Sequence, residues 1–313
     1  MKYKVSVVMA NYRTDEKLFF DSLNSILEQT YSNIEIIIVD DGSGDDYIND
    51  VYKKTEIFDN VKIIKNSRNC GLAAALNTGI KNASGEFIAR MDTDDFSYPQ
   101  RIEKQVNFLL EHPEIDVVGS YARKIGDESS IIKVPISSKD CYVRSFFNSP
   151  FVHPTVLIRR AFFEEVGFYN ESYIKAQDYE LWSRGLLKNK KYGNIPEILL
   201  NYKIYSKSKM NSKVLEQIKF TKHIRRNLIL SLGVAKSELI SAHDYLSHII
   251  ADDAVPKKID LKFLFSDVYS KLYAISNVRL KRELLRRVLA TMKYKYNVMP
   301  LLYYIFYSFI GWK

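Results

Sequence analysis

Four strand-length apolar runs, separated by helical patterns or turns, dominate the first 92 residues of this 313-residue chain. They are VSVVMANY (5–12), IEIIIVD (34–40), VKIIK (61–65) and GEFIARMD (85–92). A helical face of Phe19, Leu23, Ile26 and Leu27 follows the first, and GLAAALNTGIKNA (71–83) reads as a helix before the fourth. Strands that are apolar on both faces and alternate with helices predict an α/β fold, a mostly parallel sheet with helices on both sides. In such sheets ligands bind beyond the carboxyl ends of the strands. Acidic turns follow the second and fourth strands, at that end.

The texture changes near residue 210. Residues 1–210 form the expected catalytic-type α/β domain, and 211–313 a helical C-terminal region. In 278–295, Leu280, Leu284, Leu285, Val288, Leu289 and Met292 share one helical face, and seven basic residues stand against the single acid Glu283. The closing run VMPLLYYIFYSFIGWK is shorter than the ~20 residues a membrane-spanning helix needs. A basic amphipathic helix and an aromatic tail suit association with a membrane surface; a helical subdomain packed on the sheet, charged face in water, is a compatible alternative.

A net charge of +9 points to an anionic partner: nucleic acid, an anionic bilayer or a phosphorylated substrate. Nucleic acid is the weakest of these, because the basic residues cluster around apolar helices and no nucleic-acid motif is present. Two cysteines exclude a disulfide framework and fit a reducing compartment. The apolar part of the N-terminus, Val5 to Ala10, has the length of a strand and not of a signal peptide.

ARMDTDDFSYPQR (89–101) crowds Asp92, Asp94 and Asp95 after the fourth strand. Such a cluster needs a cation or a shifted pKa to be tolerated. Hard carboxylates suit Mg²⁺ or Mn²⁺, which bind through a few carboxylates and a substrate's phosphates; a solvated turn is the ordinary alternative for an Asp-x-Asp pair. Asp40-Asp41-Gly42-Ser43 adds a second acidic turn, where a carboxylate could accept a base or ribose hydrogen bond. Asn11 and Tyr12 follow the first strand. Arg68, Asn69 and Gly71 lead into a small-residue helix that a nucleotide can approach closely. Neither G-x-x-x-x-G-K-[ST] nor G-x-G-x-x-G occurs, so the usual ATPase and dehydrogenase fingerprints are missing. His153 is expected at the start of a strand, lining a site or holding structure. Asp178 opens a helix carrying Leu181, Trp182 and Leu186; it reads as an N-cap or as a general base.

Together VSVVMANY, IEIIIVDDGS, NCGLAAALNTG, GEFIARMDTDD and AQDYELW resemble the family 2 inverting glycosyltransferases of the GT-A (nucleotide-diphospho-sugar transferase) fold, over about residues 3 to 205. RIEKQVNFL, DVVG and HPTVLIRR bring the likeness closest to bacterial enzymes of O-antigen, capsule and lipooligosaccharide synthesis, several of them β-1,3-galactosyl- or glucosyltransferases. The resemblance implies a UDP-sugar donor, a lipid-diphosphate-linked glycan acceptor, an Mn²⁺ or Mg²⁺ cofactor and a peripheral place on the cytoplasmic face of the bacterial inner membrane. It makes Asp94 the metal ligand, with Asp92 and Asp95 on the ribose or the metal's water shell. Asp40 would meet the uracil, with Asn11, Asp41, Arg68 and Asn69 around the nucleotide. Asp178 would be the catalytic base, and His153, Gln177 and Trp182 would lie on the acceptor side.

Two departures stand out. Gln177-Asp178 replaces the family's frequent Glu-Asp, with the base retained. Tyr205 falls where many relatives have a histidine that helps bind metal or diphosphate, leaving Lys203, Lys207 or Lys209 to share the diphosphate charge. Two other classes are alternatives. A nucleotidyltransferase would offer a glycine-rich loop after the first strand, and ANYRTDEK (10–17) has no glycine. A catalytically silent nucleotide-sugar-binding protein would not need Asp178 as a base.

Overall fold

The computed structural model describes residues 3–44, 46–126, 129–204 and 212–230. The chain divides into two compact units, Met1–Phe220 and Thr221–Lys313, and the elements below up to Phe220 belong to the first. Tyr205, the amphipathic pattern expected at 278–295 and the aromatic run at 298–313 lie outside the described residues.

Strands β1 (Val5–Asn11), β2 (Ile34–Asp40), β3 (Val61–Lys65) and β4 (Phe87–Asp92) are parallel and ordered β3-β2-β1-β4. Helices α1 (Glu16–Leu27), α2 (Asp46–Lys53) and α3 (Leu72–Asn82) connect them. The sheet continues through β8 (Leu157–Arg159), β6 (Val117–Ile125), β9 (Tyr192–Lys203) and β5 (Phe96–Ser97), with β7 (Ser130–Ile132) beside β6. Antiparallel pairing occurs where β8, β5 and β7 join; the other contacts are parallel. The expected mostly parallel sheet is therefore present, widened by short reversed strands of which the sequence marked only the one after His153. Helices α4 (Arg101–Glu111), α5 (Ser138–Ser145), α6 (Arg160–Val166), α7 (Gln177–Leu187) and α8 (Ser212–Leu230) complete the described chain.

Strand alternation explains the two cores. Val5, Val7 and Met9 of β1 pack with Phe19, Leu23 and Ile26 of α1 and Ile102, Val106 and Leu109 of α4. Val8 faces the other way, toward Ala73, Leu76 and Ile80 of α3 and the Phe162, Leu181 and Trp182 cluster. Helix α1 begins where Asp15 accepts the N–H groups of Lys17 and Leu18 at 3.0 and 3.3 Å, an N-cap that satisfies otherwise orphaned donors. Helix α3 comes so close to the sheet that a Cβ on Gly79 would stand 2.4 Å from Val8 Cγ1.

The register sets the site. Asn11 pairs with Asp40 and Ala10 with Asp92, so the ends of β1, β2 and β4 are level and both acidic turns leave from one edge.

Candidate active site

At that edge lies a cavity of about 880 Å³. Asn11, Tyr12, Asp41, Asn69 and Gly71 border it, with Arg90 and Asp92 of β4 and with His153, Gln177 and Asp178.

The β2 turn is rigid. Ser43 donates to Asp40 Oδ1 from its N–H (3.1 Å) and its hydroxyl (2.5 Å), and Arg13 donates from its N–H to Ser43 Oγ (3.1 Å). Asp40 is thereby turned inward, 3% exposed, and does not border the cavity. Its neighbour Asp41 does. Asp41 accepts Asn66 Nδ2 and the N–H groups of Cys70 and Gly71 at 2.8–3.0 Å, fixing the loop that opens α3. Gly42, at φ +72°, lies against this loop; a Cβ there would meet the Arg68 carbonyl carbon at 2.2 Å, so only glycine fits. Asn69 borders the cavity, whereas exposed Arg68 does not.

Asn11 is wholly buried and links the two acidic turns. It donates to Tyr52 OH at 2.6 Å and accepts Thr93 Oγ1 at 3.1 Å. Burial, foremost, pushes the Tyr52 phenol far up, so it stays neutral.

The three clustered carboxylates have separate environments. Asp92 is held by Arg90: Nη1 donates to Oδ2 at 2.7 Å and Nη2 to Oδ1. Asp95 accepts the Lys203 N–H at 2.8 Å, while its Oδ2 is buried with no hydrogen-bond partner among the described residues. Burial first, then the Asp92 charge, pushes Asp95 upward; the Lys203 N–H and Arg90 pull it down. Asp94 is half-buried, and neither it nor Asp95 borders the cavity. Beneath them Arg101, fully buried, donates to the Arg90 carbonyl at 2.8 Å. Part of the compensation demanded by the sequence thus comes from the chain's own guanidinium groups.

No group of three metal-ligating side chains forms among the described residues. Asp92 already spends both oxygens on Arg90. Mg²⁺ and Mn²⁺, however, are commonly held by one or two carboxylates with substrate phosphates completing the shell. Asp94 and Asp95, adjacent in sequence and with Asp95 Oδ2 unpartnered among the described residues, could supply one or two carboxylates of that kind and not a protein-only cage.

Across the cavity, Ala176 adopts a left-handed conformation (φ 57°) at the start of α7. The N-cap expected at Asp178 is therefore displaced: Ala176 occupies it and Asp178 lies inside the first turn. Burial raises the Asp178 pKa above 3.8, opposed by the N–H of Tyr179, the Arg90 charge, its own N–H and the Ser149 hydroxyl. The result is a carboxylate that is a stronger base than a solvated aspartate. His153 lies in a single 3-10 turn, His153–Thr155, and not at a strand start, since Pro154 follows it and β8 begins at Leu157. Its Nε2 is 2.8 Å from Tyr169 OH, and burial with the nearby Arg90 keeps the ring neutral. Gln177 borders the cavity. Trp182, expected on the acceptor side, is 0% exposed, edge-on to Phe151 at 5.2 Å, and does not border the cavity.

Arg90 and Tyr202 are among the cavity residues that no sequence motif marked. Arg90 sat unremarked inside an apolar strand, although a lone buried charge requires a partner and Asp92 at i+2 shares its face. Tyr202, on β9, borders the cavity with its pKa pushed to about 12, first by burial and then by Asp92 and Asp95; only the fold brings it there.

Residues 6–167 match the family described as Glycosyl transferase family 2. This chain belongs to that family. As a family 2 glycosyltransferase it is 35% identical over 216 residues to an O-antigen biosynthesis glycosyltransferase, WbnJ, of Escherichia coli, covering 66% of this chain and 82% of that one. It is 29% identical to an Escherichia coli UDP-Gal:alpha-D-GlcNAc-diphosphoundecaprenol beta-1,3-galactosyltransferase, covering 79% and 89%. Among solved structures, TarS 1–349 of S. aureus in complex with UDP-GlcNAc superposes with TM-score 0.61 at 19% identity, covering 96% of this chain and 86% of that one; at this identity the likeness is of fold. The family 2 glycosyltransferase thus has the GT-A architecture expected from its motifs.

Proposed function

We propose that this glycosyltransferase moves a hexose from a UDP-sugar to a lipid-linked glycan in the assembly of a bacterial surface polysaccharide, O-antigen or capsule, inverting the anomeric centre to give a β-linkage. The donor favoured is UDP-galactose, then UDP-glucose or UDP-N-acetylglucosamine. The observation that carries this is a single cavity bordered by Asn11, Asp41, Asn69 and Asp92 and also by Asp178, a half-buried carboxylate whose pKa is raised by desolvation. The activity for which the galactosyltransferase relative is named supports the donor and acceptor classes.

In this account Asn11, Asp41 and Asn69 shape the nucleotide side, and Asp40 supports them through Ser43. Asp178 accepts the proton of the acceptor hydroxyl as that oxygen attacks the anomeric carbon from the face opposite the departing UDP. Glycosyl transfer passes through an oxocarbenium-like state, so charge must be met at the leaving diphosphate and at the attacking hydroxyl. A divalent cation held by Asp94 would supply Lewis-acid stabilisation of the diphosphate. His153, neutral and bonded to Tyr169, and Gln177 offer hydrogen bonds to sugar hydroxyls. The membrane surface is where a lipid-linked acceptor resides, and no helix among the described residues is long and apolar enough to cross it.

The test is UDP release from a panel of UDP-sugars, with and without Mn²⁺, in the presence of a lipid-linked sugar diphosphate. One UDP-hexose should be turned over in a metal-dependent way. Failure of every UDP-sugar to bind or react would overturn the proposal.

A further inference from the structure

Three basic side chains border the cavity, and two are committed. Arg90 is bonded to both oxygens of Asp92, and His153 is neutral and bonded to Tyr169. The third, Lys175, has no hydrogen bond or ion pair among the described residues. The acids of the cavity are equally occupied: Asp41 by three N–H donors, Asp92 by Arg90, Asp178 by the N–H groups of its helix turn. Nor is Lys175 needed to tune the base, because Arg90 supplies the cationic charge felt by Asp178.

Local structure explains how Lys175 is presented. The left-handed Ala176 turns the chain so that Ile174, Lys175, Ala176, Gln177 and Asp178 all border the cavity, five successive residues along one wall. The segment before it is anchored by the Tyr173 N–H to the Asn170 carbonyl (3.0 Å) and by Tyr173 against Phe220 (5.2 Å between ring centroids). Ile174, next to the free lysine, is 60% exposed and borders the cavity, so an apolar surface is available beside the ammonium.

We propose that Lys175 is the subsite for an anionic group on the acceptor, the diphosphate that joins the accepting sugar to its lipid, with Ile174 meeting the start of the lipid chain. This rests on the transferase reading above and deepens it. A hydroxyl acceptor is neutral at the reacting atom, so a spare ammonium beside the base has no task in deprotonation; a phosphate is the group it matches. Two residues separate Lys175 from Asp178, so the anion lies close to the hydroxyl that Asp178 deprotonates. That fits a phosphate on the accepting sugar itself better than one several sugars away. The cation at the mouth and the apolar contact beside it together select a sugar diphosphate with a lipid tail over a neutral oligosaccharide.

The test uses the full chain saturated with UDP, which fills the donor's own diphosphate site. Binding is compared for undecyl-diphosphate-linked N-acetylglucosamine and for neutral undecyl N-acetylglucosaminide. Wild type should prefer the diphosphate about five- to tenfold, the preference shrinking with added salt. Lys175→Gln should bind both equally and Lys175→Arg should keep the preference, while UDP affinity is the same in all three. Equal binding of the two probes by wild type, or an undiminished preference in Lys175→Gln, would overturn the subsite and leave the donor reading standing. Absence of UDP binding by wild type would instead overturn the transferase reading on which it rests.

Discussion

Arg90 grips Asp92 with both terminal nitrogens, two positions along the same strand, Nη1 to Oδ2 at 2.7 Å. The pair is the electrostatic centre of the cavity: the Arg90 charge also acts on Asp95, His153 and Asp178. Removing one member of a buried pair strands the other, which typically costs about 3 kcal/mol or more. Arg90→Gln is therefore expected to lower stability by about 3 kcal/mol in denaturant unfolding. The double variant Arg90→Gln/Asp92→Asn should lose clearly less than the sum of the singles; strict additivity would show that the two side chains do not act together.

Glu35 ties the far end of the sheet. Burial pushes its carboxyl up, but the Ser6 hydroxyl (2.5 Å), the Ser84 N–H (2.6 Å), the Ser84 hydroxyl (2.8 Å) and Lys4 bring it down to about 2. A carboxylate depressed on folding contributes stability above its ordinary pKa of 4.5 and loses it as pH falls toward 2. Glu35→Gln should cost about 1–2 kcal/mol at pH 7, allowing for solvent screening of a partly exposed group, and almost nothing at pH 2. A pH-independent loss in thermal unfolding would contradict this.

Gly79 permits α3 to approach the sheet. Alanine there gains about 1 kcal/mol of helix propensity but drives a methyl to 2.4 Å from Val8 Cγ1 and 3.2 Å from Val39 Cγ2. Overpacking of this kind costs about 1–3 kcal/mol, so Gly79→Ala is expected to be net destabilising by about 1 kcal/mol, with Val8→Ala partly rescuing it. A stabilised Gly79→Ala would mean that the helix has room to withdraw.

Asp94 is the carboxylate assigned to a cation shared with the donor's phosphates. EDTA should abolish UDP release and Mn²⁺ or Mg²⁺ restore it. Asp94→Asn should need at least about tenfold more metal for half-maximal rate, since one of few carboxylate ligands is lost. Activity indifferent to chelator and to this substitution would remove the cation from the mechanism.

Uniform apolarity made β1 to β4 and α3 legible in the sequence to within two residues, because buried parallel strands cannot hide polar side chains. Strands β5, β7 and β8 have only two or three residues each, too few to show a period. Around the site, residue types at strand ends and helix starts pointed to Asn11, Asp41, Asn69, Asp92 and Asp178, which share one cavity. Side-chain direction was less accessible: Asp40 turns inward to Ser43, and Trp182, on the same helix as Asp178, faces the core. Lys175 was invisible because its setting depends on one left-handed alanine.

The central claim is that Asp178 takes the acceptor's proton. The decisive measurement is the turnover number of Asp178→Asn with the identified UDP-hexose and acceptor, beside its affinity for UDP. General-base catalysis contributes about 10²–10⁴-fold, so turnover should fall by at least about a hundredfold while UDP affinity stays within twofold. An Asp178→Asn enzyme as active as wild type would reduce Asp178 to a structural residue of the helix turn.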